Sequence, residues 1–243
     1  MRRFIGPILG LALLVWLCIP SATRAPLEFI FPDAPEVVYD RASLVTLIGE
    51  HLVLVAVSTT AAAVLGLLVG IGVTRQAGRP FLPLAQDATS LAQTFPPVAV
   101  LALAVPILGF GFTPTVVALF VYSVLPVVKN TIAGLEAVPA DILEASTGMG
   151  MRPVDRLVRT ELPLAARVIL AGVRTSVVLN VGTATIGATI GAGGLGRIII
   201  AGLVRDNPAW IITGALAAAA LALLADWLFA RLDETFYSAG EVI

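Results

Sequence analysis

Few side chains in this sequence are able to carry out chemistry. The 243 residues include one histidine (His51), one cysteine (Cys18) and one lysine (Lys129). A single cysteine excludes an internal disulfide and a cysteine-rich metal site, and a single histidine disfavours a histidine-based one. A phosphate-binding G-x-x-x-x-G-K-[ST] loop is excluded because residues 127–128, before the lysine, are both valine. We therefore expect a protein that is not an enzyme, with no catalytic, cofactor or metal site of its own.

One short motif matches a nucleotide-binding signature. Residues 191–196 read GAGGLG, which fits G-x-G-x-x-G letter for letter. A dinucleotide site also needs a preceding strand and an acidic residue about 20 positions later, and residues 211–216 hold no acid. We interpret Gly193 and Gly194 instead as positions of close helix packing or as a gate hinge.

The most informative polar segment lies between two long apolar runs. Residues 144–163 read EASTGMGMRPVDRLVRTELP. Three arginines give this segment positive charge: Arg152, Arg156 and Arg159. Any inner loop of a membrane protein collects arginine, so charge alone decides little. A polar segment in so apolar a chain nevertheless predicts a surface presented to another molecule.

Two short helices separated by a bend are predicted around this segment. Pro139 suits the first position of a helix, where its missing N–H is not needed. Gly148 or Gly150 can adopt the left-handed conformation that ends a helix. Pro153 then starts a second helical piece, and Pro163 is expected to end it where the next apolar run begins.

The remainder of the chain is apolar enough to require lipid as its solvent. The whole chain is 58% hydrophobic and 13% charged, with a mean hydropathy of +0.98, whereas a soluble domain carries about 25% charged residues. Since a spanning helix needs about 20 apolar residues, we predict an all-α, polytopic bundle of about six transmembrane helices. The predicted spans are 4–22, 52–73, 84–108, 115–128, 168–190 and 209–229. The fourth is short and is expected to begin near Phe112 or to run past Asn130.

The basic residues predict the orientation of these spans. Lysine and arginine concentrate on the cytoplasmic side of membrane proteins. With the N-terminus inside, four of the 15 lysines and arginines lie outside: Arg24, Arg41, Arg197 and Arg205. We therefore predict a multi-pass protein of the cytoplasmic (inner) membrane with both termini in the cytoplasm.

Three regions follow from this topology. Residues 1–40 hold the first helix and an external loop, residues 41–230 the membrane core, and residues 231–243 a cytoplasmic tail. Residues 23–40, which contain three prolines, are predicted to be loop, and residues 41–50 a short interfacial helix. The first apolar run also suits a cleaved signal peptide, although it is long for one and no clean Ala-x-Ala site follows it.

The polar segment resembles the EAA loop of ABC-importer permeases. The resemblance lies in Glu144-Ala145-Ser146, in Gly150 four residues later, and in Leu162-Pro163 twelve residues after that glycine. Ser146 replaces the usual second alanine, and Thr160 stands where a large aliphatic residue is usual. Four further stretches look like osmoprotectant importer permeases of the glycine betaine and choline type: 51–75, 93–111, 122–139 and 161–196. The extra N-terminal span and outer loop look closest to the glycine betaine uptake branch.

This resemblance implies a type I importer permease fold, covering about residues 41–229, with the EAA loop at 136–163. It implies the permease subunit of an ABC importer that moves glycine betaine or a related quaternary amine into the cytoplasm. The implied partners are ABC ATPase subunits, which bind ATP and Mg²⁺, a periplasmic or surface solute-binding protein, and a second permease. Membrane lipid surrounds the subunit, and the net charge of −1 argues against nucleic acid. The implied ATPase-docking positions are Glu144, Ala145, Ser146, Gly150, Leu162 and Pro163.

Several polar residues inside the predicted spans are further candidates for a transport role. Asn180, Thr183 and Thr185 in the fifth span either line a pathway or form hydrogen bonds between helices. Asp226 in the sixth span either pairs with Arg174 or takes part in transport, since acids within membranes are often functional.

Two other kinds of transporter are alternatives. An importer of the same class for another solute, such as an amino acid, would share the EAA loop, because that loop indicates the ATPase that drives transport and not the solute that is transported. An ion-coupled secondary transporter is a more distant alternative, because it would be expected to contain internal repeats and broken midplane helices.

Overall fold

The computed structural model describes residues 2–92 and 94–240, and all regular structure within these ranges is helical. The α-helices are α1 Arg2–Leu17, α2 Pro20–Ile30, α3 Leu44–Thr74, α4 Leu82–Ala92, α5 Pro97–Leu108, α6 Phe112–Glu136, α7 Ala140–Gly148, α8 Pro153–Arg156, α9 Leu162–Thr183, α10 Gly196–Val204 and α11 Pro208–Gly240. A 3-10 turn, Arg79–Phe81, precedes α4. A π-helical turn, Leu157–Glu161, joins α8 to α9, and a 3-10 segment, Ala184–Ile190, extends α9. The all-α prediction is confirmed.

Within the described residues, four helical segments are long and apolar enough to cross a membrane: α3, α6, the run Pro153–Ile190 and the run Pro208–Glu234. A fifth crossing is possible if α1 and α2 count as one span, although they meet at 93°. Helix α5 is apolar but has only 12 residues. The predicted total of six spans is therefore approximate.

The predicted third span, 84–108, is wrong as a continuous helix. It consists of α4 and α5, which are separated by a break that contains Pro96. Pro96 is extended, with φ −65° and ψ 139°, and Pro97 occupies the first turn of α5. Two successive prolines remove two backbone donors and force the preceding residue out of the helical region, so the helix cannot pass through them.

The fourth and last predicted spans are longer in the structure than the hydropathy indicated. Helix α6 starts at Phe112 and continues past Asn130, as the short predicted span required. Helix α11 extends into the predicted tail as far as Gly240, and residues 241–243 lie outside the described part of the chain.

One prediction near the N-terminus is also wrong. Residues 23–30, predicted as loop, belong to α2, which carries Pro20 in its first turn, where proline is tolerated. Of residues 41–50, predicted as a short interfacial helix leading into the second span, residues 44–50 are helical and form the first turns of α3. The Ser43 side chain caps α3 by accepting the Thr46 N–H at 3.1 Å. No proline follows before Thr74, so the helix continues without a break.

Helices α3, α6 and α9 form the centre of the bundle, and small residues let their backbones approach closely. A Cβ placed on Gly66 of α3 would lie 2.7 Å from Val127 of α6. One placed on Gly172 of α9 would lie 2.7 Å from Asn130 of α6. The small residues Ser58, Ala62, Gly66 and Gly70 recur every four positions on α3 and are all buried, so this spacing marks a packing face, as expected for membrane helices.

The connecting segments collect at two ends of the bundle. The arginine end comprises residues 75–81 and 137–161, which Arg75 and Glu161 bring together. The glycine end comprises residues 31–43, 109–111 and 191–207. There, Asn207 donates a hydrogen bond from Nδ2 to the Glu36 carbonyl at 2.7 Å.

Candidate functional site

The predicted docking segment forms a short helix that ends in a tight turn at the arginine end. Pro139 lies just before α7 in an extended conformation, so the helix begins one residue later than predicted. At the end of α7, the Met151 N–H donates to the Ser146 carbonyl (3.2 Å) and the Gly150 N–H to the Thr147 carbonyl (2.9 Å). These are the two hydrogen bonds of a Schellman motif. Gly150 has φ +77°, so it is the glycine that adopts the left-handed conformation.

The second half of the segment differs from the prediction. Pro163 does not end a helix, because the chain runs on from α8 through the π-helical turn into α9 as one helical run, Pro153–Ile190. A proline ring inside an α-helix clashes with the carbonyl four residues earlier. The wider π turn, in which the Leu162 N–H donates to the Leu157 carbonyl, accommodates Pro163 near the start of α9.

The six predicted docking residues do not share one environment. The side chain of Ser146 is buried, and its hydroxyl donates to the Ile142 carbonyl at 2.7 Å. Leu162 is half-buried and packs against the cluster of Leu135, Ala165 and Ile169. The other four are exposed at the surface: Glu144, Ala145, Gly150 and Pro163. The exposed positions are able to meet a partner directly, whereas Ser146 and Leu162 hold the segment in place.

Glu161 is a buried carboxylate that the sequence analysis did not single out. One oxygen, Oε2, lies 2.6 Å from Arg75 Nη2, and the other, Oε1, lies 3.0 Å from Arg156 Nε. Arg156 also donates from Nη1 to the Thr147 hydroxyl at 3.0 Å. We call these four residues, Arg75, Thr147, Arg156 and Glu161, the Glu161 network. The sequence signal was a lone acid between arginine-rich stretches, with nothing to identify its partners.

An open groove of about 1110 Å³ lies beside the Glu161 network. Its walls come from the end of α3, the end of α6 and the segment from α7 to the π turn. Charged and amide side chains face it: Arg75, Gln76, Arg79, Glu136, Arg156 and Glu161. A smaller depression of about 400 Å³ lies on α7 itself, between Glu144 and Arg156. An open groove with charged and amide side chains is better suited to contact another protein than to bind a small apolar ligand.

Asn180 holds three central helices together. It is fully buried, and its amide group shares two N–H donors among three hydroxyl oxygens: Ser58 Oγ (3.1 Å) and Thr59 Oγ1 (3.0 Å) of α3 and Ser123 Oγ of α6. Asn180 was predicted either to line a pathway or to form hydrogen bonds between helices. The geometry favours the hydrogen bonds between helices.

Thr183 and Thr185 are half-buried, and the hydroxyl of each donates to a carbonyl three or four residues earlier. The Thr183 hydroxyl donates to the Leu179 carbonyl (2.8 Å), and the Thr185 hydroxyl to the Gly182 carbonyl (2.7 Å). These bonds saturate the hydroxyl donors within the same helical run. They do not assign a transport role to either residue.

Gly193 and Gly194 lie at the glycine end against the start of α3. Both have positive φ, +85° and +71°. A Cβ on Gly193 would lie 2.4 Å from Glu50, and the Gly194 N–H donates to the same carboxylate at 2.8 Å. The positive φ explains both glycines, and Gly194 also lies close to the backbone of His51. The predicted second span begins at residue 52, which puts His51 at the outer edge of the membrane. In the structure His51 is fully buried and bonds the Val181 carbonyl through Nε2 at 2.9 Å.

Arg174 and Asp226 meet as a two-pronged ion pair between α9 and α11. Arg174 Nε lies 2.6 Å from Asp226 Oδ1, and Nη2 lies 2.7 Å from Oδ2. Seven residues away on each helix, Arg167 Nε lies 3.3 Å from Asp233 Oδ2. The two pairs fix the register of α9 against α11. In the part of the chain that the structure describes, no group of three or more His, Cys, Asp or Glu side chains could hold a metal ion.

Comparison with known proteins identifies a family. The model of the family described as "Binding-protein-dependent transport system inner membrane component" matches residues 62–236. The chain is 43% identical over 181 residues to the osmoprotectant import permease protein OsmY of Salmonella typhimurium, covering 74% of this chain and 77% of that protein. It is 37% identical over 192 residues to the glycine betaine/carnitine/choline transport system permease protein OpuCB of Bacillus subtilis, covering 79% and 88%.

The solved structure of an inward-facing MetNI methionine ABC transporter has a similar fold. Its matching chain has a TM-score of 0.70 and 24% identity, covering 79% of this chain and 95% of that one. At this level of identity the likeness establishes the fold alone.

Proposed function

The chain belongs to the family of binding-protein-dependent transport system inner membrane components, and we propose that it is the permease subunit of an ATP-driven importer for osmoprotectants. The cargo class rests on the two relatives, one named for osmoprotectants and one for glycine betaine, carnitine and choline. We therefore propose a small solute such as glycine betaine or another quaternary amine. An amino acid cargo has less support, because the methionine transporter shares only the fold.

The observation that carries the proposal is the exposed helix α7 at the arginine end. It projects Glu144 and Ala145 outwards, it is stopped by the left-handed Gly150, and it lies beside an open charged groove. A surface of this kind suits docking of an ATPase subunit, whose closure on ATP would push α7. ATP and Mg²⁺ would be bound by that partner, since this chain contains no phosphate-binding loop.

We place the arginine end in the cytoplasm and the glycine end outside. Four of the 15 basic residues lie at the glycine end or in α2 and the loop beside it, and the excess of positive charge at the other end favours the cytoplasmic side. This orientation puts α7 where ATP is available and leaves the glycine end to meet a solute-binding protein. A second permease, identical or different, would complete the pathway.

Replacing Glu144 with alanine tests the docking assignment. The side chain is exposed at the centre of α7, so its loss should leave folding intact and remove an interface charge. We expect the copurified ATPase to fall about tenfold or more, as for loss of a central interface residue, and glycine betaine uptake to be abolished. The measurements are ATPase retention on the tagged, purified permease and uptake of labelled glycine betaine in cells.

Glu28→Ala is the matched control, because Glu28 is an exposed glutamate on α2 near the glycine end. We expect it to retain the ATPase at the level of the unmodified protein. Full ATPase retention and full uptake by Glu144→Ala, at equal membrane abundance, would contradict docking on α7.

A further inference from the structure

Glu161 is buried to an extent that is unusual for a charged residue in this molecule. Among the side chains that the structure describes, it is the only Asp, Glu, Lys or Arg that is buried, with 4% of its surface exposed. A carboxylate at this depth is tolerated only with charged or hydrogen-bonding partners. Its two arginine partners are therefore needed to keep it where it is.

Those partners come from separate parts of the arginine end. Arg75 is the residue that directly follows α3. Arg156 is the last residue of α8, and it also reaches Thr147 in α7. Glu161 itself is the last residue of the π turn, directly before α9. One carboxylate thus connects the end of α3, the start of α9 and, through Arg156, the exposed helix α7.

These contacts offer a route by which a displacement of α7 can reach the central bundle. A shift of α7 carries Arg156 with it through the Thr147 hydrogen bond and through the short backbone connection. Separating Arg156 or Arg75 from Glu161 would leave a buried carboxylate with half of its partners, which is strongly unfavourable. The less costly response is for the three segments to move as one unit.

We propose that Glu161 is a positioning residue that locks α7 to the ends of α3 and α9, so that a movement imposed on α7 shifts both central helices together. This inference rests on the proposed function, in which an ATPase moves α7. Glu161 touches neither solute nor nucleotide in this role. Its contribution is to the efficiency with which hydrolysis is converted into transport.

The test is the amount of solute imported per ATP hydrolysed by the complete transporter. The complex of permease, ATPase and binding protein is reconstituted in lipid vesicles, and ATP hydrolysis and glycine betaine uptake are measured on the same sample. For Glu161→Gln, which keeps the shape and removes the charge, we expect hydrolysis within about twofold of the unmodified complex. Uptake per ATP should fall about fivefold or more, the usual lower range of coupling between sites.

Two further variants isolate the cause. Arg75→Lys keeps the charge but replaces the guanidinium, whose Nη2 lies 2.6 Å from Glu161 Oε2, with an ammonium group on a side chain that reaches less far. Arg75 directly follows α3 and is not part of α7, and the variant should lower uptake per ATP in the same way. Asp233→Asn breaks an arginine–carboxylate pair between α9 and α11 that does not involve α7, and it should leave the ratio unchanged. If Glu161→Gln does not insert into the membrane, the result with Arg75→Lys decides.

Each alternative outcome counts against the proposal. An unchanged ratio in both Glu161→Gln and Arg75→Lys overturns it, and so does an equal fall in Asp233→Asn. Loss of the ATPase from either Glu161→Gln or Arg75→Lys would assign the Glu161 network to docking and not to transmission. If the unmodified complex binds the ATPase but imports no osmoprotectant, the proposed function itself fails, which is a different result.

Discussion

Gly150 offers a sharp test of whether the shape of the docking turn matters, because its neighbour Gly148 supplies a matched control. Gly150 has φ +77°, and a Cβ added there meets nothing within 4 Å. The cost of Gly150→Ala is therefore conformational and not steric. A left-handed conformation costs a residue with a Cβ about 1–2 kcal/mol, which corresponds to a roughly 5- to 30-fold lower population of the turn.

Gly148 and Gly150 are both exposed, and their backbone conformations differ. It is the last residue of α7, its φ lies outside the left-handed region, and a Cβ added there also meets nothing within 4 Å. Gly148→Ala should be neutral or slightly stabilising, because alanine has the higher helix propensity. The two variants add the same methyl group two residues apart.

The assay compares labelled glycine betaine uptake and ATPase retention at equal membrane abundance. We expect Gly150→Ala to lower both by about 5- to 30-fold and Gly148→Ala to stay within about twofold of the unmodified protein. If Gly150→Ala performs as well as Gly148→Ala in both measurements, the Schellman turn does not set the docking geometry and the reasoning is refuted.

Two further predictions concern the bundle and its orientation. Asn180→Ala should lower the unfolding free energy in detergent by about 1–2 kcal/mol, from about 0.6 kcal/mol per interhelical hydrogen bond plus a small cavity. Thr183→Ala, which loses only a bond within its own helical run, should change the unfolding free energy by less than about 0.5 kcal/mol. Equal melting curves for the two variants would count against the role of Asn180. In a background without Cys18, Arg197→Cys should react with an impermeant thiol reagent added outside intact cells. Arg152→Cys, which replaces a side chain that is 82% exposed, should react only after the cells are opened. The reverse labelling pattern would show that the orientation is inverted.

The docking segment shows how far local sequence reasoning reaches. Proline and glycine act through their own backbone preferences, so a helix, a bend and a second helix were predictable from residues 139–153. The sequence left Gly148 and Gly150 equivalent, and the Schellman hydrogen bonds decide between them. It also treated Pro163 as a stop, because a π turn that accommodates the proline has no sequence signature of its own.

Burial was the other property that local reasoning missed. Ser146 was expected on the docking surface, but its side chain is buried against its own helix. His51 was expected at the membrane edge, but α3 begins two turns earlier and carries it into the core. Hydropathy cannot distinguish a surface that faces lipid from one that faces another helix, since both are apolar.

The sequence by itself determined the solvent, the helical class, the family and the polar segment at residues 144–163 that interrupts the apolar runs. All of these depend on composition, on the backbone preferences of single residues or on short motifs, which require no knowledge of distant contacts. Only the tertiary structure decided that Asn180 meets Ser58, 122 positions away, and that Glu161 meets Arg75. The pair of Arg174 and Asp226 was one of two alternatives that the sequence had left open, and the structure brings these two side chains together. A buried polar group must find a partner, but the crossing and register of the packed helices select that partner, and these arise from the whole bundle.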